Sequence, residues 1–252
     1  MQILLTNDDG IYAPGIQALY RALGARHQVT VIAPDRERSA VGHGITLHQP
    51  LRAERVALNA HYSGLAVNGT PADCVKLGIY EILTRPPDLV VSGINPGANV
   101  GINVNYSGTV AAAKEAALFG LPAMAASVQG RAGVHFEDAA RCVAVLAETV
   151  IRQGLPKGTF LNINIPDIPY AEMAGIRVSR QGNGFFPDYF EKRTDPRNRT
   201  YYWQGGDRQV FDQDPDIDGF ALETNFVSVT PIKCDMTDYD TLAQLRKWHW
   251  DR

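Results

Sequence analysis

The sequence has few of the residues that build disulfide frameworks and zinc sites. Its three cysteines, Cys74, Cys142 and Cys234, are far apart and odd in number, and they form no Cys-x-x-Cys pair. This pattern argues against a disulfide framework and against a structural zinc site. The six histidines show no His-Glu-x-x-His or comparable spacing, which argues against a histidine-based zinc enzyme. We therefore expect buried thiols, and we expect oxygen atoms to hold any bound metal.

Long apolar runs and an excess of basic residues are also missing. No run approaches the length of a membrane span, and the apolar segment at residues 3–6 is too short, and lacks the basic flank, for a signal peptide. The formal net charge of −3 gives no support for a broad nucleic-acid-binding surface. We therefore expect a cytoplasmic protein with neither a membrane nor a nucleic-acid polymer as partner.

The composition is that of an ordinary globular protein, and the pattern along the chain predicts an α/β fold. The chain has 252 residues, of which 45% are hydrophobic and 20% are charged. Repeated alternation of strand-like and helix-like segments favours a doubly wound, mostly parallel sheet of the Rossmann-like class, with a β-rich excursion at residues 45–67. The predicted strands lie at 3–6, 29–33, 88–92, 122–127 and 160–165, and the predicted helices at 14–26, 70–83, 111–118 and 136–152.

The character of the sequence changes after Pro166. Residues 1–166 form the predicted α/β core, residues 167–240 a β-rich extension, and residues 241–252 a final helix. The extension contains four aromatic residues that are costly to expose, so it is either an arm that packs on another subunit or a segment that folds back on its own core. The first interpretation predicts a homodimer or homotetramer. The four aromatic residues are Phe185, Phe186, Tyr189 and Phe190.

Two adjacent acids follow the first predicted strand. Asp8 and Asp9 come after a short apolar run, and Gly10 eases the turn that would let both side chains reach one centre. Ligands of open α/β sheets sit beyond the carboxyl ends of the strands, where these acids are expected. On local sequence alone, a plain turn before a helix is at least as good an interpretation.

Two other strand ends supply further oxygen atoms. Ser39 lies in the loop at residues 33–39, and Asn95 in the glycine-rich loop at residues 93–101. Together with Asp8 and Asp9 they form a hard-oxygen set, which suits Mg²⁺ or Mn²⁺ better than zinc or copper.

A helix start that can bind an anion follows the glycine-rich loop. Ser107 or Thr109 would cap an alanine-rich helix whose first turn has almost no bulk, and such a start offers free N–H groups and the positive end of the helix dipole. Ordinary capping on a small-residue face explains this segment equally well when it is taken alone. A cation site beside an anion site points to phosphoryl chemistry.

Five motifs in this order carry a resemblance to a known family. They are LLTNDDG at residues 4–10, APDRERS at 33–39, GTPADCV at 69–75, SGINPGANVG at 92–101 and YSGTVAAA at 106–113, with weaker matching at 161–166 and 227–231. The chain resembles the SurE family of stationary-phase survival proteins, which are 5'/3'-nucleotidases. The resemblance implies a single SurE-like domain over residues 1–252.

The resemblance also implies an activity and a set of site residues. It implies hydrolysis of nucleoside 5'- and 3'-monophosphates, sometimes also of short-chain polyphosphate, with one divalent cation per subunit, Mg²⁺ or Mn²⁺. The metal ligands fall on Asp8, Asp9, Ser39 and Asn95, and the phosphate contacts on Asn95, Ser107, Gly108 and Thr109. Residues 114–116 depart slightly from the usual Met-Glu-Gly. The loop at residues 41–44 varies among members, which leaves substrate preference open.

The mechanism leaves several alternatives. Asp8 or Asp9 is the candidate catalytic base, and His43 is a candidate proton donor to the leaving group, although a lone histidine near glycines is more often a simple loop residue.

A phosphatase with an aspartyl-phosphate nucleophile is less favoured because the two acids are adjacent. A nucleotide-binding regulatory module with a structural metal site is the main non-enzymatic alternative. The missing G-x-G-x-x-G turn disfavours a dinucleotide dehydrogenase.

Overall fold

A computed structural model describes residues 1–59, 62–130, 133–183, 188–206 and 213–250 of the chain. Phe185 and Phe186, which the sequence places in the extension, lie outside these described residues. The strands are β1 (Gln2–Thr6), β2 (Gln28–Pro34), β3 (Ala53–Asn59), β4 (Tyr62–Val67), β5 (Leu89–Pro96), β6 (Ala123–Val128), β7 (Thr159–Ile165), β8 (Gly175–Val178), β9 (Asp188–Thr194), β10 (Thr200–Gly206) and β11 (Phe226–Lys233).

The described residues also form six α-helices and three shorter helical segments. The α-helices are α1 (Pro14–Gly24), α2 (Pro71–Leu77), α3 (Gly108–Leu118), α4 (Phe136–Gln153), α5 (Asp218–Glu223) and α6 (Tyr239–Leu245). A π-helical turn, Gly78–Ile82, continues α2, and 3₁₀ turns occur at Gly101–Asn105 and Tyr170–Glu172. Among the described helices, none is long and apolar enough to cross a membrane.

Nine strands form one sheet in the order β3-β4-β2-β1-β5-β6-β7-β11-β8. The six strands from β4 to β7 in this order are parallel, whereas β3 and β11 each run antiparallel to the neighbour on their inner side. Helices cover both faces, so the predicted doubly wound, mostly parallel α/β fold is confirmed. The remaining two strands, β9 and β10, pair as a separate antiparallel hairpin.

Alternate residues of the central strands supply two hydrophobic clusters. Ile3 and Leu5 pack with α1 and α4 on one face, whereas Leu4 packs with α2 and α3 on the other. This alternation follows from the two-residue period of a strand whose two faces are both covered. The inner side chains of α3 are mostly alanine, as at Ala112 and Ala116, so this helix can approach the sheet closely.

The structure differs from the sequence prediction mainly in the C-terminal third. The extension is only partly separate, because β8 and β11 complete the main sheet and only β9 and β10 stand apart. The helix predicted at 241–252 begins earlier, at Tyr239, where Asp238 caps it by accepting a hydrogen bond from the Thr241 N–H, and it ends at Leu245. The helix predicted at 70–83 is confirmed but changes to π-helical geometry at Gly78.

The three cysteines are free, as predicted. Cys74 and Cys142 are buried and Cys234 is half-buried, and burial raises the pKa of each thiol.

Candidate active site

The carboxyl ends of β1, β2 and β5 meet at one edge of the sheet. Leu5 is in register with Val31 of β2, and Thr6 is in register with Ser92 of β5. The Arg38 N–H donates to the carbonyl of Asp8 at 2.7 Å, so the loop after β2 is bound directly to the chain that leaves β1. The strand order therefore brings the three predicted loops to the same edge.

Asp8 is buried against the start of α3. Its Oδ1 accepts a hydrogen bond from the hydroxyl of Thr109. Gly108 lies so close that a Cβ at this position would be 2.8 Å from the Cβ of Asp8 and 3.1 Å from its Oδ2. The first acid and the first turn of α3 thus form one contiguous surface.

Asp9 has a carboxylate oxygen without a partner. Its Oδ2 is buried, and no described residue forms a hydrogen bond with it. Burial, together with the charges of Asp8 and Glu37, raises the pKa of Asp9 to about 7. Burial also raises the pKa of Asp8, although the hydrogen bond from Thr109 opposes this effect. A cation stabilises the charged forms of two neighbouring acids of this kind, one of them buried and the other half-buried.

The structure places Ser39 and Asn95 differently with respect to this pair. Ser39 is exposed, and its hydroxyl donates to Glu37 Oε1 at 2.5 Å. Asn95 is half-buried, and its Nδ2 donates to the carbonyl of Gly97 at 2.6 Å, which leaves the oxygen of the amide for another partner. The amide oxygen of Asn95 is therefore available to a cation. The hydroxyl of Ser39 would first have to break its hydrogen bond to Glu37.

The residues at this edge suit a hard cation. Among the described residues, no three His, Cys, Asp or Glu side chains cluster as a metal site. A cation here would need neutral oxygens beside the two carboxylates. The unpaired Oδ2 of Asp9 and the amide oxygen of Asn95 are of the type that Mg²⁺ or Mn²⁺ prefers.

The start of α3 has the predicted cap. Ser107 precedes the helix, and its Oγ accepts a hydrogen bond from the Val110 N–H at 3.1 Å. The hydroxyl of Thr109 is bonded to Asp8 and is not free in this state. The positive end of the helix dipole therefore lies beside two acids, and a cation between them would allow an anion to approach.

Comparisons with known proteins identify the family of the chain. The profile of the family described as "Survival protein SurE" matches residues 3–187. The chain belongs to the SurE family. A relative from Desulfatibacillum aliphaticivorans, named 5'-nucleotidase SurE, is 57% identical over 98% of both chains. A relative of the same name from Syntrophobacter fumaroxidans is 48% identical over 99% of this chain and 100% of its own. The crystal structure of the SurE protein from Aquifex aeolicus covers 98% of both chains with 39% identity and a TM-score of 0.86.

In this SurE-family chain, His43 belongs to a charged cluster that the sequence did not reveal. Its Nε2 lies 2.6 Å from Glu115 Oε2, and Lys76 Nζ lies 3.1 Å from Glu115 Oε1. Burial raises the pKa of Glu115, but the bonds to His43 and Lys76 outweigh it, so the net pKa is below the usual value. The Gly42 N–H also donates to the Tyr106 carbonyl at 3.0 Å, which fastens the loop of His43 over the start of α3.

Buried amides hold the glycine-rich loop of the SurE fold. The carbonyl of Asn99 accepts hydrogen bonds from Asn162 at 2.7 Å and from Asn164 at 3.1 Å, and the Asn99 N–H donates to Asn164 Oδ1 at 2.8 Å. Asn162 and Asn164 share one face of β7 because they are two residues apart. Polar residues at alternate positions of a buried strand were the available sequence signal for this role.

Proposed function

We propose that this protein is a metal-dependent nucleotidase that hydrolyses nucleoside 5'- and 3'-monophosphates to nucleoside and phosphate. The contact of Asp8 with Thr109 carries this proposal, because it joins an acid suited to a cation with a helix start suited to a phosphate. Relatives up to 57% identical over nearly the full chain are named 5'-nucleotidase SurE. This name supports the same reaction. Short-chain polyphosphate presents the same terminal phosphoryl chemistry, and we include it as a further substrate.

The proposed cofactor is one divalent cation per subunit, Mg²⁺ or Mn²⁺. Asp8, Asp9, Ser39 and Asn95 would hold it. The orphaned Oδ2 of Asp9 and the orientation of the Asn95 amide support this assignment. When bound, such a cation polarises a phosphoryl oxygen and lowers the pKa of water.

Residues of this chain would perform the remaining steps of the reaction. Asn95, Ser107, Gly108 and Thr109 orient the phosphate, and the start of α3 stabilises its negative charge. Asp9 is the better placed of the two acids to take a proton from the attacking water, because Asp8 is bonded to Thr109. His43 is the proposed proton donor to the leaving group, since the hydrogen bond between Gly42 and Tyr106 holds its loop beside the start of α3.

We also propose a cytoplasmic homodimer or homotetramer. The described aromatic residues of the β9–β10 hairpin support association, because they are exposed on both of its faces. They are Tyr189, Phe190, Tyr201, Tyr202 and Trp203. In one subunit these side chains do not fold back on the core, so a second subunit is the partner that would cover them.

The proposed reaction is tested by phosphate release from a panel of 5'- and 3'-nucleoside monophosphates and short-chain polyphosphate. Each substrate is assayed with chelator, Mg²⁺ or Mn²⁺. We expect release with metal only, and its near-complete loss in Asp9→Asn. Asp88→Asn is the matched control, because Asp88 accepts the N–H of Gln2 at the opposite end of β1. Tight nucleotide binding without release under any metal would instead favour the regulatory module.

A further inference from the structure

Asp218 is a buried acid outside the proposed set of active-site residues. It is the first residue of α5, and 1% of its surface is exposed. Its Oδ2 accepts the N–H of Gly101 at 2.9 Å, and its Oδ1 accepts the N–H groups of Gly182 at 3.0 Å and Gly219 at 2.9 Å. One carboxylate therefore joins the start of α5 to two distant pieces of backbone.

Gly101 lies midway between two parts of the proposed site. It follows Asn95 by six positions and precedes Ser107 by six in the sequence. Its φ of +57° is in the left-handed region, and it begins the 3₁₀ turn that leads to α3. The side chain of Gln181 donates to the carbonyl of Gly101 at 2.8 Å. Residues from the C-terminal third thus bind both the N–H and the carbonyl of Gly101.

The same carboxylate closes the base of the hairpin excursion, which is the segment between Gly182 and Asp218 that carries β9 and β10. Gly182 and Asp218 flank this excursion in the sequence. Beside them, the Arg180 N–H donates to the Asp216 carbonyl at 2.8 Å, and the Asp218 N–H donates to the Arg180 carbonyl at 3.0 Å. The base of the excursion and the loop at Gly101 are therefore fastened at one point.

We propose that Asp218 is a positioning residue that fixes the segment between Asn95 and Ser107 against the base of the hairpin excursion. This proposal rests on the proposed nucleotidase function. A carboxylate can accept all three N–H groups, whereas an amide in its place presents an NH₂ group to at least one of them. Among the described residues, the Asp218 carboxylate bonds to backbone N–H groups and to no side chain of the proposed site. It acts through the backbone of Gly101.

The test compares Asp218→Asn with the wild-type protein by hydrogen exchange and by kinetics. We expect peptides that cover residues 97–106 to exchange at least about tenfold faster in the variant. We expect KM for a nucleoside monophosphate, and the Mn²⁺ concentration for half-maximal rate, to rise at least about fivefold while kcat changes less. Gln181→Ala, which removes only the bond to the Gly101 carbonyl, should move the same quantities in the same direction by smaller amounts.

The control is Asp138→Asn, because Asp138 also accepts a backbone N–H, that of Tyr170 at 3.0 Å, but does so beside α4. It should leave the exchange of residues 97–106 and the kinetic constants unchanged. A lower melting temperature in Asp218→Asn with wild-type exchange and kinetics would overturn the proposal. If Asp218→Asn does not fold, unchanged exchange and KM in Gln181→Ala overturn it. If the wild type hydrolyses no substrate, the nucleotidase proposal fails, whereas the exchange comparison still decides whether Asp218 fixes this segment.

Discussion

The hydroxyl of Thr109 donates a hydrogen bond to the carboxylate of Asp8, although the two residues are 101 positions apart in the chain. Both side chains are buried, at the junction of β1 and the start of α3. This bond gives the first acid a fixed orientation without using the carboxylate of Asp9, which keeps a free oxygen. The order of the acids therefore matters, since the first is held by the protein and the second is open to a ligand.

Thr109→Val should destabilise the metal-free protein by about 1–3 kcal/mol, because the buried Oδ1 of Asp8 loses its donor. Urea denaturation in the presence of chelator measures this change. Thr241→Val is the matched control, because it removes a hydroxyl bond to Asp238 at an exposed position, and its effect should stay within about 0.5 kcal/mol. Equal effects of the two substitutions would contradict the buried role of Thr109.

Asp9→Asn should make the metal-free protein more stable at about pH 8 and change it little at about pH 4. The pKa of Asp9 is raised to about 7 in the folded state from 3.8, so the folded state holds more protons than the unfolded state between these values. The stability contributed by this group is therefore complete at low pH and lost as the pH rises toward 7. The expected gain at about pH 8 is about 1–3 kcal/mol.

Denaturation at several pH values with chelator checks this expectation for Asp9. Added Mn²⁺ should reverse the order of stability at about pH 8, because the wild type gains binding energy that the variant lacks. A variant that is less stable than the wild type at about pH 8 in chelator would show that the surroundings of Asp9 do not destabilise its charged form.

Gly108→Ala should lower kcat/KM for phosphate release by about tenfold or more while leaving folding largely intact. The added Cβ would meet Asp8 at 2.8 Å, which must displace the acid or the start of α3, whereas alanine itself favours a helix. Gly24→Ala is the control, since a Cβ there meets no atom within 4 Å. Steady-state kinetics together with a melting curve separate the two effects, and unchanged kinetics in Gly108→Ala would remove Gly108 from the proposed site.

Glu115→Gln should destabilise the protein by about 1–3 kcal/mol at neutral pH, because it removes the carboxylate that binds both His43 and Lys76. The pKa of Glu115 is lowered in the folded state, so this contribution is present above its usual value near 4.5 and is lost as the pH falls below it. Glu137→Gln, which breaks an exposed pair with Arg21, should cost about 0–1 kcal/mol. Thermal unfolding at neutral and acid pH distinguishes the two, and a pH-independent loss in Glu115→Gln would exclude the charge as the cause.

Replacing both Phe190 and Trp203 by alanine should shift the protein toward the monomer in sedimentation experiments. These side chains are 66% and 60% exposed on opposite faces of the β9–β10 hairpin, and their loss removes apolar surface that a second subunit would cover. Trp248→Ala is the control, since Trp248 is equally exposed outside the hairpin. An unchanged oligomer in the double variant would locate the contact between subunits elsewhere.

The parts of the fold that follow local patterns could be predicted from the sequence. The apolar run before Asp8 predicts β1, and the alanine-rich segment after Ser107 predicts α3, because burial on both faces and helix propensity leave direct traces in the sequence. The shared edge of the carboxyl ends of β1 and β5, which lead to Asp8 and Asn95, was also predictable from the parallel arrangement.

Contacts that depend on three-dimensional approach could not be predicted. Glu115 sits in a run of alanines, and nothing near it in the sequence indicates that His43 and Lys76 reach it from other elements. Asp218 binds the backbone of a glycine 117 positions away, and a backbone N–H leaves no residue-specific signature. The exposure of Ser39 and its bond to Glu37 depend on the path of a loop, which residue types alone do not determine.

The long separation of Asp8 and Thr109 has a consequence for biosynthesis. When β1 and β2 have left the ribosome, both acids are present, but Thr109 and the rest of α3 have not yet followed. The hydrogen bond from Thr109 to Asp8 can therefore form only after α3 has docked beside β1. A nascent chain that stalls before residue 109 would carry both acids without the hydroxyl that binds Asp8.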